Sequence, residues 1–200
     1  MTIQEFNPSW YFRDRLIDDD IQKINTTFTS FIENDDNFHN PPLWGANVKS
    51  SFYHPNNKNS KWDLFLDIVR PFADRFISAM KPKMGVEVYP QEGWINKYSW
   101  QYFQEYHTHA SPDINLSMVY FYRVKKDDEC FKFVVDNTLY SSNGYNKMFQ
   151  IPNKPVSVPK VNSGDLIFFP SFYPHFVTPH FFRGFERITF SANFLIVPAQ

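Results

Sequence analysis

Cysteine is nearly absent from this chain: Cys130 stands alone. A single thiol makes no intrachain disulfide and no cysteine-rich zinc site. Glycine is sparse at 6 of 200 residues, and no Gly-rich phosphate loop occurs, which speaks against a nucleotide-binding α/β fold. Charge of either sign is not in excess, with a formal net charge of −1. No global positive field is present to hold nucleic acid or an anionic membrane. That excludes a histone-like binder, though not an enzyme acting on a base. No apolar run is long enough to span a bilayer. Met1-Thr2-Ile3-Gln4-Glu5 lacks the basic and apolar blocks of a signal peptide. The expectation is a cytoplasmic protein. Asn25-Thr26-Thr27 and Asn115-Leu116-Ser117 match glycosylation sequons, which carry no weight without secretion.

Aromatic side chains are abundant: 23 Phe, 11 Tyr and 5 Trp. Rings on this scale build a sizeable core. The length fits one domain over residues 1–200. Residues 18–33 place Ile21, Ile24, Phe28, Phe31 and Ile32 at spacings of three and four, one face of a helix. Asp18, Asp19 and Asp20 suit its positive end. Residues 34–59, rich in Asn, Asp and Pro, read as a long surface loop. Residues 61–80 predict a second helix with Leu64, Ile68, Phe72, Phe76 and Ile77 on one face and a kink at Pro71. After Pro82 short apolar runs alternate with turns: 86–89, 94–98, 102–107, 116–122, 131–135, 156–158, 166–169 and 187–196. Helices first and strands afterwards predict an α+β fold. Its strands would form an antiparallel sandwich or barrel, with residues 1–83 as helical support and 84–200 as the core.

Three segments could carry chemistry. In Tyr106-His107-Thr108-His109, strand geometry points both imidazoles to one face. They are either a metal-ligand pair or two surface histidines. In Gly164-Asp165-Leu166-Ile167-Phe168-Phe169-Pro170-Ser171-Phe172-Tyr173-Pro174-His175, a turn opens a buried strand, and His175 follows in a rigid aromatic connection. It is a satisfied core residue or a ligand. In the third, Arg187, Thr189, Ser191 and Asn193 share one face, and Ile188, Phe190, Ala192 and Phe194 the other. That polar face meets either water or an internal pocket. In a pocket, the buried arginine needs an anion, and its planar fork suits a carboxylate.

Taken together, these segments resemble the 2-oxoglutarate/Fe(II) dioxygenase superfamily. That pattern runs histidine, a second ligand two residues later, a distal histidine, an arginine about ten residues beyond it, then Ser or Thr after one residue. Here those positions are His107, His109, His175, Arg187 and Thr189. Within the superfamily the chain is most similar to the prolyl-hydroxylase-like 2OG-Fe(II) oxygenases of marine bacteria and phages. That group has a Trp-x-Asn segment, a His-x-His, and strands of the type "lSGvyY", "GDLllFPSwlpH" and "RisiSfN". The counterparts are Trp94-Ile95-Asn96, His107-Thr108-His109, Leu116-Ser117-Met118-Val119-Tyr120, the Gly164 to His175 segment, and Arg187 to Phe194.

The resemblance implies a double-stranded β-helix (jelly-roll) barrel with N-terminal supporting helices. It implies Fe(II) on His107, His109 and His175, with 2-oxoglutarate and dioxygen as cosubstrates and succinate and CO2 as co-products. The far carboxylate of 2-oxoglutarate would meet Arg187 and Thr189. Ser191, Asn193, Ser117 and Tyr120 are further candidates for its pocket. Phe168, Phe169, Phe172, Tyr173 and Phe176 would exclude water. Most of the superfamily carries Asp or Glu where this chain has His109. Asp113 is the fallback ligand, and Glu105, on the same strand face, a weaker one. A hydroxylase is implied, first of a peptidyl residue, otherwise of a small molecule. If the chain is phage-encoded, its place is the host cytoplasm. Two further readings stand beside it: a non-catalytic jelly-roll binding or structural protein, and a three-histidine cupin-type metalloenzyme that ignores 2-oxoglutarate. Residues 34–59 and 136–153 are candidate lids.

Overall fold

The computed structural model describes residues 10–59, 61–109, 111–134, 156–157 and 159–199. Its order is β1 (Phe12–Arg15), α1 (Asp18–Glu33), β2 (Lys49–Ser50), α2 (Trp62–Met80), β3 (Val86–Tyr98), β4 (Gln104–His107), β5 (Leu116–Arg123), β6 (Phe131–Val134), β7 (Val156–Ser157), β8 (Asp165–Pro170), β9 (His175–Val177) and β10 (Arg187–Pro198). A larger sheet runs β1-β8-β5-β10-β3-β2, and a smaller one β4-β9-β6-β7. Every strand pairing is antiparallel. Two packed antiparallel sheets with helices on one outer face make the jelly-roll barrel with supporting helices, an α+β fold.

Strand alternation gives the larger sheet two buried faces and so two cores. One holds Ile24, Phe28, Phe65, Val69, Phe76, Met118, Tyr120, Phe168 and Phe190, between sheet and helices. The other holds Val119, Phe121, Phe131, Phe133, Ile167 and Phe169, between the sheets. On β5 and β8 the parity is strict: even numbers turn to the helices and odd numbers to the barrel interior. A sheet buried on both faces reads as a nearly continuous apolar run, which is the character of β5 and β8.

Helix α1 matches the expected span, burying Ile24, Phe28 and Ile32. Helix α2 buries Phe65, Val69, Phe72, Ala73 and Phe76, and Leu64 is exposed. The expected face was therefore turned by one residue at its start. Steps of three and four from Phe65 select the true stripe, because Phe65 packs on Phe190 at 5.2 Å between ring centroids. The helix continues through Pro71.

Other expectations need correction. Residues 34–59 are no simple loop: they carry β2, and Asn37, Phe38, Val48, Ser50 and Ser51 are buried. The 86–89 and 94–98 runs are one strand, β3, bridged by pairing along the whole of β10. Strands β1 and β9 were not expected. Since β1 and β2 enter the larger sheet, the first 83 residues supply strands as well as helices. The candidate lid at 136–153 lies outside the described residues.

Gly164 sits at φ +95 in the turn before β8, a conformation L side chains rarely adopt. A Cβ there would lie 2.8 Å from Ile21 Cδ1. The Gly-Asp turn thus fits between helix and sheet, and the carboxylate of Asp165 then accepts from Arg13 at 2.7 Å.

Candidate active site

His107 ends β4 and His175 begins β9, and the two are direct partners across the antiparallel ladder. Side chains opposite each other on a ladder share a face. Their ring centroids lie 4.2 Å apart. His109, two residues on, is fixed by its backbone N–H, which donates to the Ser171 carbonyl at 2.8 Å. The ligand atoms of the three histidines all fall within 4.8 Å of one another, and among the described residues this is the one such group of three or more potential ligands.

Second contacts set the tautomers. His107 Nδ1 donates to the Glu105 carbonyl at 2.8 Å, and His175 Nδ1 to the Tyr173 carbonyl at 2.9 Å. A carbonyl only accepts, so each δ nitrogen carries the proton and Nε2 keeps its lone pair. His109 is oriented by a relay. Asn193 Nδ2 donates to Glu92 Oε1 at 2.8 Å, which turns Asn193 Oδ1 toward His109 Nδ1, also at 2.8 Å. Ser117 Oγ donates to the same Oδ1 at 2.8 Å. The Nε2 atoms of His107 and His109 are then 3.1 Å apart.

Burial favours the neutral rings. It lowers His107, pushes His109 down to about 4 with help from the neighbouring His107, and holds His175 well below the usual histidine value. Three neutral imidazoles with lone pairs converging at these distances repel one another unless a cation lies among them. The donor set fits a divalent transition metal.

Arg187 is 3% exposed. Its Nε lies 3.4 Å from Asp128 Oδ2 and its Nη1 donates to the Thr178 carbonyl at 3.1 Å. Asp128 is itself held by the Cys130 N–H, which donates to Oδ1 at 2.8 Å. The anion expected for a buried arginine is therefore partly supplied by the chain. Thr189 and Ser191 line the barrel interior with Trp94, Asn96, Tyr98 and Gln104. Of the polar face of β10, Thr189 and Ser191 meet this pocket and not water, and Asn193 borders a second cavity beside His109.

Strand β3 completes the interior, and sequence reasoning credited only its Trp-x-Asn motif. Register places Trp94 opposite Ser191, Asn96 opposite Thr189 and Tyr98 opposite Arg187. Tyr98 Oη donates to Gln104 Oε1 at 2.9 Å. The alternation of Trp94, Asn96 and Tyr98 was the available signal. Nothing in the sequence signalled Asp128, which is far from the motifs in the chain, whereas Glu92 stands two residues before Trp94 on the same strand, where the alternation of β3 was the available signal.

Four expected roles change. Tyr120 turns away from the barrel and packs on Phe65 and Phe190 at 5.9 and 5.8 Å, since even positions of β5 face the helices. Phe168 points the same way and stacks with Phe76 at 6.2 Å. Phe172 is 61% exposed. Asp113 is exposed and outside the histidine group. The rings around His175 are Phe131, Phe133 and Phe169, at 5.2, 6.4 and 5.0 Å. Ser117 and Asn193, expected beside the cosubstrate, are in contact with His109.

Residues 92–193 match the family described as "Putative 2OG-Fe(II) oxygenase". No curated protein matches. Among solved structures, a Pseudomonas putida prolyl-4-hydroxylase is similar at 14% identity and TM-score 0.61, over 94% of this chain and 92% of that one. A Trichoplax adhaerens prolyl hydroxylase, in complex with a hypoxia inducible factor oxygen degradation domain peptide, reaches 0.61 at 12% identity over 92% and 83%. HygX from Streptomyces hygroscopicus, with nickel and 2-oxoglutarate bound, reaches 0.58 at 12% identity over 94% and 83%. These likenesses show the fold. The family match runs from within β3 to within β10 and takes in all three histidines and Arg187, and on it the chain belongs to the 2OG-Fe(II) oxygenases, dioxygenases that use Fe(II), 2-oxoglutarate and dioxygen.

Proposed function

We propose that the chain is a hydroxylase whose Fe(II) is held by His107, His109 and His175, and that it acts on an aliphatic C–H bond of a peptidyl residue. The observation that carries the ligand set is the convergence of three neutral imidazoles, each held by a contact on its far nitrogen. The bound metal and its cosubstrate supply the oxidising power. The chain supplies binding, orientation and exclusion of water. Arg187 and Thr189 hold the far carboxylate of 2-oxoglutarate, and Ser191 shapes the same interior. Phe131, Phe133 and Phe169 keep the wall beside His175 dry. The whole chain, 1–200, works as one domain.

A peptide is favoured over a free small molecule by the surroundings of the histidines. A cavity of about 290 Å³ lies beside His107 and His109. A second, of about 850 Å³, shares its Phe52 and Glu92 walls. Together they offer a path longer than one residue. No helix of the described residues is long and apolar enough to cross a membrane.

The test is anaerobic addition of Fe(II) and 2-oxoglutarate. A visible charge-transfer band and calorimetric binding of the keto acid are expected. Metal binding without any 2-oxoglutarate binding would instead favour the cupin-type reading, and binding of neither the non-catalytic one. Peptide substrates are then identified by a mass gain of one oxygen with stoichiometric succinate.

A further inference from the structure

The cavity beside the histidines has an uneven chemistry. Its walls are aromatic: Trp44, Phe52 and Trp94. They form a chain of contacts, with Trp44 to Phe52 at 5.4 Å, Phe52 to Trp94 at 4.9 Å, and Trp94 to His109 at 5.5 Å between ring centroids. Its ionisable lining outside the histidines is acidic: Glu92 and Glu105, with no lysine or arginine among the described lining residues.

The two carboxylates differ in how they are held. Glu92 Oε1 accepts from Asn193 and is part of the relay that orients His109. Glu105 Oε1 accepts from the Gly45 N–H at 3.1 Å. Its other oxygen, Oε2, is buried and has no hydrogen-bond partner among the described residues. A buried acceptor without a donor is costly. Glu105 also stands outside the three-histidine group. A carboxylate in a cavity lined by three aromatic rings suits one class of guest, an organic cation. Ring faces attract ammonium and guanidinium groups, and the unmet oxygen offers them a charge-assisted hydrogen bond.

We infer that this cavity receives the cationic end of the substrate, a lysyl or arginyl side chain, with Glu105 Oε2 as its anchor and Trp44, Phe52 and Trp94 as its walls. This rests on the hydroxylase reading above and narrows its substrate. The three-histidine set contributes no negative charge where most of the superfamily has a carboxylate. A cationic guest therefore needs its counter-charge from a residue that is not a ligand, and Glu105 is placed to provide it. The groove past Phe52 and Glu92 takes the rest of the peptide.

The test uses protein loaded with Mn(II) and 2-oxoglutarate, which binds without turnover. The probes are Nα-acetyl-lysine methylamide, Nα-acetyl-arginine methylamide and the neutral Nα-acetyl-norleucine methylamide. A cationic probe is expected to bind about tenfold or more tightly than norleucine, with its terminal methylene protons broadened by Mn(II). Glu105→Gln should erase the preference and leave Mn(II) and 2-oxoglutarate binding unchanged, and that retained binding also reports a folded protein. Trp44→Ala should weaken the cationic probes alone. Equal binding of norleucine would overturn the inference, leaving the hydroxylase reading intact. Loss of Mn(II) in Glu105→Gln would make Glu105 a metal ligand and overturn it too. Failure of the wild type to bind Mn(II) and 2-oxoglutarate would refute the hydroxylase reading, and this inference with it.

Discussion

His107 and His175 face each other as direct partners across the β4–β9 ladder, with ring centroids 4.2 Å apart. Two strands distant in sequence thus fix two donors of the proposed metal site, and His109 joins through the Ser171 carbonyl. His107→Ala and His175→Ala should each abolish stoichiometric Fe(II) binding, measured by calorimetry, with native circular dichroism. His109→Asp should keep binding where His109→Ala loses it, since a carboxylate is an acceptable donor at that position. Wild-type metal affinity in His109→Ala would remove it from the ligand set.

Asn193 links His109 to Glu92. Its removal leaves the Nδ1 proton of the imidazole only the longer contact to Ser117 Oγ, at 3.2 Å. Outer partners of this kind are worth roughly 10–100-fold in metal affinity. Asn193→Ala should fall in that range in a competition titration against a chelator. Its 2-oxoglutarate affinity, measured with saturating metal, should change much less.

Arg187 and Asp128 are a buried pair, 3% and 9% exposed. Removing one partner strands the other's charge, at a cost of roughly 3–5 kcal/mol. Arg187→Met and Asp128→Leu should each destabilise the protein in urea denaturation, and the double variant by less than their sum. Additive losses would show that the two do not interact. Arg187→Lys keeps the charge but not the fork, so its 2-oxoglutarate affinity should drop by about tenfold or more.

Phe65 and Phe190 are both fully buried where α2 meets the larger sheet. Phe65→Ala should cost about 3–5 kcal/mol in chemical denaturation. Leu64→Ala, one residue earlier on the exposed side, should stay within about 0.5 kcal/mol. The reverse order would mean that the helix face is wrongly assigned.

Local pattern was enough for some features. Periodicity of 3.6 residues delimits α1, and alternation of two on β10 separates Arg187, Thr189, Ser191 and Asn193 from the apolar face. The order and spacing of His107, His109, His175, Arg187 and Thr189 carry the family: four of them lie in strands, and His109 follows two residues past the end of β4. Those signals are local, and the sequence determined them by itself.

The remainder depended on pairing between distant strands. Which face of β5 looks inward is invisible when both faces are apolar, so Tyr120 could not be told from Val119 or Phe121. The short strands β1 and β9 have no period to read, and exist through their partners β8, β4 and β6. Asp128 beside Arg187 and Glu92 behind Asn193 are contacts that no spacing rule anticipates. Tertiary structure alone decided them, because a buried charge or amide takes whichever complementary group the folded sheets bring within reach.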